Sequence, residues 1–219
     1  MQEHVEVTGI VIKAEPVGDY DRRVVILTTE RGKISAFARG ARKPNSRFVA
    51  GTNPFVFGTF YLYEGKNSYS LNEVEAKNYF DALRGDFYGA YYGMYFLEIA
   101  DYYTRENNDE KEMLKLLYQS MRALSHEGID NRLIRAVFEI KSVVVNGEFP
   151  GLPDGDNYLE STVYALNHIV NSSIEKLYTF SVNDAVLEQL IKIAEKTMKI
   201  VVHHSFKSLE ILDTLVYNN

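Results

Sequence analysis

The chain has no cysteine and no tryptophan among its 219 residues. Without thiols it carries no disulfide, no thiolate zinc or iron–sulfur site and no cysteine nucleophile. Proline and glycine are sparse, at 5 and 14 residues, which excludes collagen-like and low-complexity architectures. No run approaches the roughly 18 apolar residues of a membrane-spanning helix. The opening MQEHVEVTG lacks a basic n-region and an apolar h-region, so a secretory signal is not expected and the expected setting is the soluble cytoplasm. A Walker loop and a GxGxxG turn are missing too, so ATP or dinucleotide use is not indicated. What remains, 46% hydrophobic and 25% charged residues, is a globular composition of one large or two small domains at about 150 residues per domain.

Acidic residues outnumber basic ones, 30 to 24, for a formal net charge of −6. That argues against a histone-like protein coated in positive charge. The distribution is uneven. Residues 1–80 hold 11 Lys/Arg against 9 Asp/Glu, a net of +2, and residues 81–219 hold 13 against 21, a net of −8. Residues 31–47 gather six bases (Arg31, Lys33, Arg39, Arg42, Lys43 and Arg47) and no acid. Such a run is either a solvated surface or a local polyanion site on an otherwise acidic body.

Hydrophobic periodicity divides the chain into a domain at 1–80 and another at 81–219. In the first, VEVTGIVIKA, RVVILTT, KISAFAR, PFVFGTFYLY and SYSLNEVE are short and rich in Val, Ile, Thr, Phe and Tyr, as strands are. Turn chemistry separates them, with one long link, GARKPNSRFVAGTN, after the third. Five strands arranged in this way suit a small closed barrel of the OB type, in an α+β protein; an open five-stranded sheet or an SH3-like barrel also accommodates the pattern. After residue 81 the period becomes helical. Helices are expected at 109–124, at 130–145 with Asp130 as N-cap, at 159–170, and after Ser181 with a capping box. Their inward stripes include Leu133, Val137, Ile140 and Val144, then Leu187, Leu190, Ile191, Ala194 and Met198. The apolar face around 91–103 reads as core, or less readily as a partner groove.

The strand KISAFAR separates two chemistries. Alternate residues point to opposite sides, so Ile34, Ala36 and Ala38 form a small apolar face suited to the interior. Lys33, Ser35, Phe37 and Arg39 form a basic, aromatic face. Sequence-neutral binding of a single strand needs just these parts, cations for phosphates and flat rings for bases. The candidate DNA-binding residues are therefore Lys33, Phe37, Arg39, Arg42, Lys43, Arg47 and Phe48. The loop that carries Arg42, Lys43 and Arg47 is expected to be exposed and flexible. Further rings follow in the fourth strand, where Phe55, Phe57, Tyr61 and Tyr63 alternate with Val56, Phe60 and Leu62; pattern alone leaves open which set faces the core.

Several of these segments together resemble a known family. GIVIK (residues 9–13), GDYDRRVVILT (18–28), GKISAFARGARKPNSRF (32–48) and the aromatic fourth strand resemble the N-terminal OB domain of the RecO family, bacterial recombination mediators. FKSLEIL (206–212) is similar to that family's closing segment. The resemblance implies a non-enzymatic protein without cofactors, bacterial, cytoplasmic and nucleoid-associated, active in DNA repair and recombination after DNA damage. It implies binding of single- and double-stranded DNA, strand annealing, action with RecR and the single-stranded-DNA-binding protein, and indirect help to RecA loading. Many members carry four cysteines as a zinc ribbon, and here that region is reduced to the loop GEFPGLPDGDNY (147–158), so no metal is expected. Packing of Phe149, Pro150 and Tyr158 is expected to hold this loop instead.

Competing readings are weaker. Asp19 and Asp21 beside Arg22-Arg23 read as a surface turn rather than a metal site. His203-His204 ends the last long helix, where adjacent side chains diverge by about 100° and do not readily chelate one ion. An OB-fold RNA-binding or ribosome-associated factor is the alternative to a DNA mediator, since such barrels accept RNA equally well. A third reading is an adaptor whose helical part is functional and whose barrel is a scaffold.

Overall fold

Period-two patterning and β-branched residues produce five strands: β1 (Glu3–Val17), β2 (Asp21–Thr28), β3 (Gly32–Ala38), β4 (Phe57–Glu64) and β5 (Tyr69–Asn78). The structure is a computed structural model that describes residues 3–66, 68–154 and 157–217. The strands pair in the order β1-β2-β3-β5-β4, and β1 pairs with β4 to close the sheet into a barrel. All pairings are antiparallel except β3 with β5, which is parallel and brief, Ala36 with Tyr69 and Phe37 with Ser70. This is the five-stranded, closed arrangement that the segment lengths and the long third link lead one to expect. Between β3 and β4 a single helical turn, α1 (Phe48–Gly51), returns the chain to the sheet.

The interior of the sheet is filled by alternate residues. Val5, Val7, Val24, Ile26, Ile34, Ala36, Ala38, Phe60, Leu62 and Leu71 are all buried together. At ~25 cal/mol per Å² this burial is the main favourable term for so small a sheet. Ala41, Phe48 and Val56 join the same cluster from outside the strands. In β4 the inner set is Phe60 and Leu62, and Tyr61 and Tyr63 face outward and are half-buried. Phe55 precedes the strand, at a φ of 75°, and is buried, so it belongs to neither alternating set.

By internal contacts the chain forms two compact units, residues 1–81 with 100–114 and residues 82–99 with 115–219. The division expected at residue 80 puts 100–114 with the helices, whereas those residues group with the sheet. Their tie to it is the turn between β2 and β3. The Lys33 amide donates to the Arg105 carbonyl at 3.0 Å, the Asn107 amide donates to the Arg31 carbonyl at 3.0 Å, and the Lys33 ammonium donates to Asp101 Oδ1 at 2.7 Å. Gly32 lies between them at a φ of 64°, and a Cβ there would overlap the Arg105 carbonyl oxygen. Gly32→Ala is expected to cost at least about 2 kcal/mol, combining the left-handed penalty with that overlap. A shift of the urea midpoint, read by circular dichroism, checks it.

The helical unit is built from stripes of period 3.6. The helices are α2 (Asp81–Gly85), α3 (Phe87–Tyr103), α4 (Lys111–Leu124), α5 (Asn131–Val145), α6 (Glu160–Asn171), α7 (Asp184–Val201) and α8 (Lys207–Tyr217), of which the end of α3 and the start of α4 belong to the sheet-bearing unit. Asp130 caps α5, accepting from the Arg132 amide at 2.8 Å. For α7 the cap is Asn183, which accepts from the Val186 amide at 3.0 Å. Val143 and Ile193 are buried where Val144 and Ile191 were expected, and the latter two are half-buried. Phe96 and Phe138 stack at 4.1 Å between centroids in the core of this unit. No helix among the described residues is long and apolar enough to cross a membrane.

Of the three residues expected to hold the loop at 147–158, Pro150 does not pack. Pro150 is exposed, and Phe149 and Tyr158 are only half-buried. Gln189 of α7 fastens the end of the loop to the start of α6: its Oε1 accepts from the Leu159 amide at 3.0 Å and from Thr162 Oγ1 at 2.6 Å, and its Nε2 donates to the Asn157 carbonyl at 3.2 Å. One amide side chain thus satisfies the start of α6, whose first amides have no partner within the helix.

Candidate nucleic-acid interface

Strand β3 presents its two faces as alternation dictates. Ile34, Ala36 and Ala38 are buried, Lys33, Ser35 and Phe37 are half-exposed and Arg39 is exposed. Register places Arg23 of β2 opposite Phe37, so a ring and a guanidinium lie side by side on the outer surface. Arg23 Nε donates to Ser35 Oγ at 2.8 Å, which fixes the guanidinium along that surface.

The link after β3 is exposed, as its composition implies. Its backbone is nevertheless a succession of hydrogen-bonded turns. The Ala41 amide donates to the Ala38 carbonyl, Lys43 to Gly40 and Ser46 to Lys43, at 3.0–3.3 Å. Ala41 is buried and Phe48 is 8% exposed, so two apolar anchors hold the segment on the sheet and the polar residues between them project outward. Three further bonds tie it to the β1–β2 turn. The Arg42 amide donates to the Tyr20 carbonyl at 2.8 Å, Arg42 Nη1 donates to the Gly18 carbonyl at 3.0 Å, and the Gly40 amide donates to Asp21 Oδ1 at 2.7 Å. The Lys43 ammonium lies 5.4 Å from the centroid of the Tyr20 ring. Asp21 thus acts as a turn acceptor, in agreement with the surface-turn reading of this segment.

The six bases of residues 31–47 separate into two groups. Arg31 pairs with Glu64 at 3.5 Å and Lys33 with Asp101 at 2.7 Å. Arg39, Arg42, Lys43 and Arg47 are exposed and none has a carboxylate within ion-pair distance among the described residues. Arg47 donates from Nη2 to the Asn72 carbonyl at 2.5 Å and covers the Phe48 ring at 4.9 Å. Two residues that the charge run does not include join the patch, Arg23 and Arg22. Arg22 donates from Nη1 to Thr52 Oγ1 at 2.8 Å and Asn53 Oδ1 at 2.9 Å. Burial, and then the positive field of Arg42, hold its guanidinium below its ordinary pKa. That repulsion is what a patch of uncompensated like charge produces.

Two of the expected site residues have other work. Phe48 is part of the core, because the single turn α1 directs its ring inward. Lys33 is committed to Asp101 through both its carboxylate and its main-chain carbonyl. Phe37, Arg39, Arg42, Lys43 and Arg47 remain on the surface.

The outer rings of β4 lie in a different field. Register sets Tyr61 between Glu6 of β1 and Glu73 of β5, and its hydroxyl donates to Glu75 Oε2 at 3.4 Å. Glu6, followed by burial, Glu75 and Glu73, pushes the Tyr61 phenol above its usual pKa. Phosphates would be repelled there. The sheet is therefore polarised, with cations around β2, β3 and the loop after it, and carboxylates across β1, β4 and β5.

Comparison with known proteins agrees with this architecture over both parts of the chain. Residues 1–80 match the family model described as Recombination protein O N terminal, and residues 84–154 match that described as Recombination protein O C terminal. Among curated relatives, the DNA repair protein RecO of Acetivibrio thermocellus is 28% identical over 244 aligned positions, covering 97% of each chain. That of Clostridium novyi is 27% identical over 94% of this chain and 93% of its own. That of Bacillus subtilis is 30% identical over 80% of this chain and 64% of its own. The two family models cover the sheet and the first helices in the order in which they occur here, and full-length relatives align from end to end: the chain belongs to the RecO family.

Proposed function

We propose that this protein is a DNA repair and recombination mediator that binds single- and double-stranded DNA through the cationic side of its sheet and anneals complementary strands. The observation that carries the reading is the set of exposed, carboxylate-free cations, Arg39, Arg42, Lys43 and Arg47, beside Arg23 and Phe37. Phosphate contacts supply most of the affinity of a sequence-neutral site, and rings add base stacking. The function is one of binding and positioning, without a bond made or broken. A cationic surface lowers the repulsion between two approaching strands. The duplex that forms has stacked its bases internally, so it gains less from protein rings and leaves.

Family membership supports action with RecR and the single-stranded-DNA-binding protein and, through them, assistance to RecA loading. The test is annealing of complementary oligonucleotides coated with the cognate single-stranded-DNA-binding protein. The proposal expects faster annealing than in the protein's absence, with weaker binding of structured RNA. No acceleration, together with preferential binding of RNA, would favour the ribosome-associated alternative.

A further inference from the structure

Tyr20 belongs to neither the basic run nor the core. The residue is 54% exposed, the most exposed Phe or Tyr of the sheet-bearing unit among the described residues. An exposed ring at the tip of a hairpin turn ordinarily gains nothing for stability and needs no particular partner. This one is held. The Arg42 amide donates to its carbonyl, Arg42 Nη1 donates to the Gly18 carbonyl two residues before it, and Asp21 next to it accepts from the Gly40 amide. Lys43 places its ammonium over the ring at 5.4 Å. Two segments remote in sequence are thereby joined into one clamp that presents a flat ring and three cations, Arg39, Arg42 and Lys43.

We infer that Tyr20 is the base-stacking residue of this site and sets its preference for single strands over duplex. The inference rests on the proposed DNA-binding role and assigns its substrate form. A nucleotide is the ligand that matches a ring with an ammonium over it, because it offers a π face for the ring and, a few ångströms away, an anionic phosphate for the ammonium. Only an unpaired base has that face free; in a duplex both faces are taken by neighbouring bases, so the ring contributes nothing and the cations act alone. Fixing the turn in advance removes ordering cost from binding. Phe37, which lies on the strand itself and is half-buried, offers less free face.

The experiment compares three labelled probes by fluorescence anisotropy at one salt concentration: an oligothymidylate, an abasic phosphodiester strand of the same length, and a duplex. The wild-type protein is expected to bind the oligothymidylate about ten-fold tighter than the abasic strand, as loss of one stacked base implies. Tyr20→Ala is expected to lose most of that preference, binding the oligothymidylate close to the wild-type affinity for the abasic strand, with duplex affinity unchanged. Tyr20→Phe, which keeps the ring, is expected to retain the preference. A Tyr20→Ala protein that keeps the wild-type ratio of oligothymidylate to abasic affinity would overturn this assignment alone. Failure of the wild-type protein to bind any of the three probes would overturn the DNA-binding role and this assignment with it.

Discussion

Replacing Arg39, Arg42 and Lys43 together by glutamine is expected to weaken binding of a single-stranded oligonucleotide by about 10- to 150-fold near physiological salt. The figure follows from roughly 0.5–1 kcal/mol for each exposed ion pair. The slope of log affinity against log salt should become shallower by about 2, since each phosphate contact on a single strand contributes about 0.7. All three side chains are exposed and lack a carboxylate within ion-pair distance among the described residues, so their removal leaves no unpaired buried charge. The main-chain bonds from Arg42 and Gly40 that shape the clamp survive the substitution. Arg47 is left in place because its guanidinium also holds the Asn72 carbonyl and covers Phe48, and removing it would mix loss of charge with loss of packing. A folded triple variant with unchanged affinity and slope would mean that DNA is held elsewhere.

The second large effect concerns stability and lies in the helical unit. Arg135, with a side chain 16% exposed, pairs with Glu139, 3% exposed, at 2.9 Å. The same carboxylate accepts from the Tyr95 hydroxyl at 2.7 Å, and Arg135 lies 3.5 Å from Asp213 and over the Tyr95 ring at 5.7 Å. Burial opposes the Arg135 charge, but Glu139, Tyr95 and Asp213 outweigh it and hold the guanidinium above its ordinary pKa. Burial, followed by Glu139, likewise pushes the Tyr95 phenol well up. Removing one partner of such a pair leaves a buried charge uncompensated, at a cost of about 3–5 kcal/mol. Arg135→Met is expected to show that loss in chemical denaturation. Arg135→Met with Glu139→Gln should recover a substantial part of it, because the surviving amide is neutral and still hydrogen-bonds Tyr95. If the double variant is no more stable than the single one, the loss comes from packing rather than from the stranded carboxylate.

Local patterning made the sheet legible. The alternation in KISAFAR assigned the inner and outer residues of β3 because a strand has only two faces, and Asp130 announced the start of α5 because a cap needs only its own turn. What escaped depends on contacts made at long range. Lys33 looks like a free cation until Asp101, 68 residues later, is brought to it. Phe48 looks like one more ring in a basic loop until the turn of α1 directs it inward. Tyr20, Arg22 and Arg23 lie outside the basic run, and only the pairing of β2 with β3 brings them to Arg39 and Arg42. In the helices, residues one or two positions from the expected stripe fill the core, as Val143 and Ile193 do. A stripe about 100° wide does not decide between adjacent apolar residues.

Polarity of the sheet also explains how an acidic chain can carry a polyanion site. The carboxylates of Glu6, Glu73 and Glu75 gather around Tyr61 on the outer side of β1, β4 and β5, while the cations collect on β2, β3 and the loop. At physiological ionic strength the screening length is about 8 Å, so a phosphate at the loop feels the local cations far more than the net charge of −6.

Photo-crosslinking of the wild-type protein to an oligothymidylate, with the joined residues identified by mass spectrometry, decides whether DNA lies on the cationic side of the sheet. Crosslinks are predicted at Tyr20, Phe37 and the 39–43 segment. Crosslinks confined to the acidic surface around Tyr61, or to the helices beyond residue 115, would contradict binding on that side.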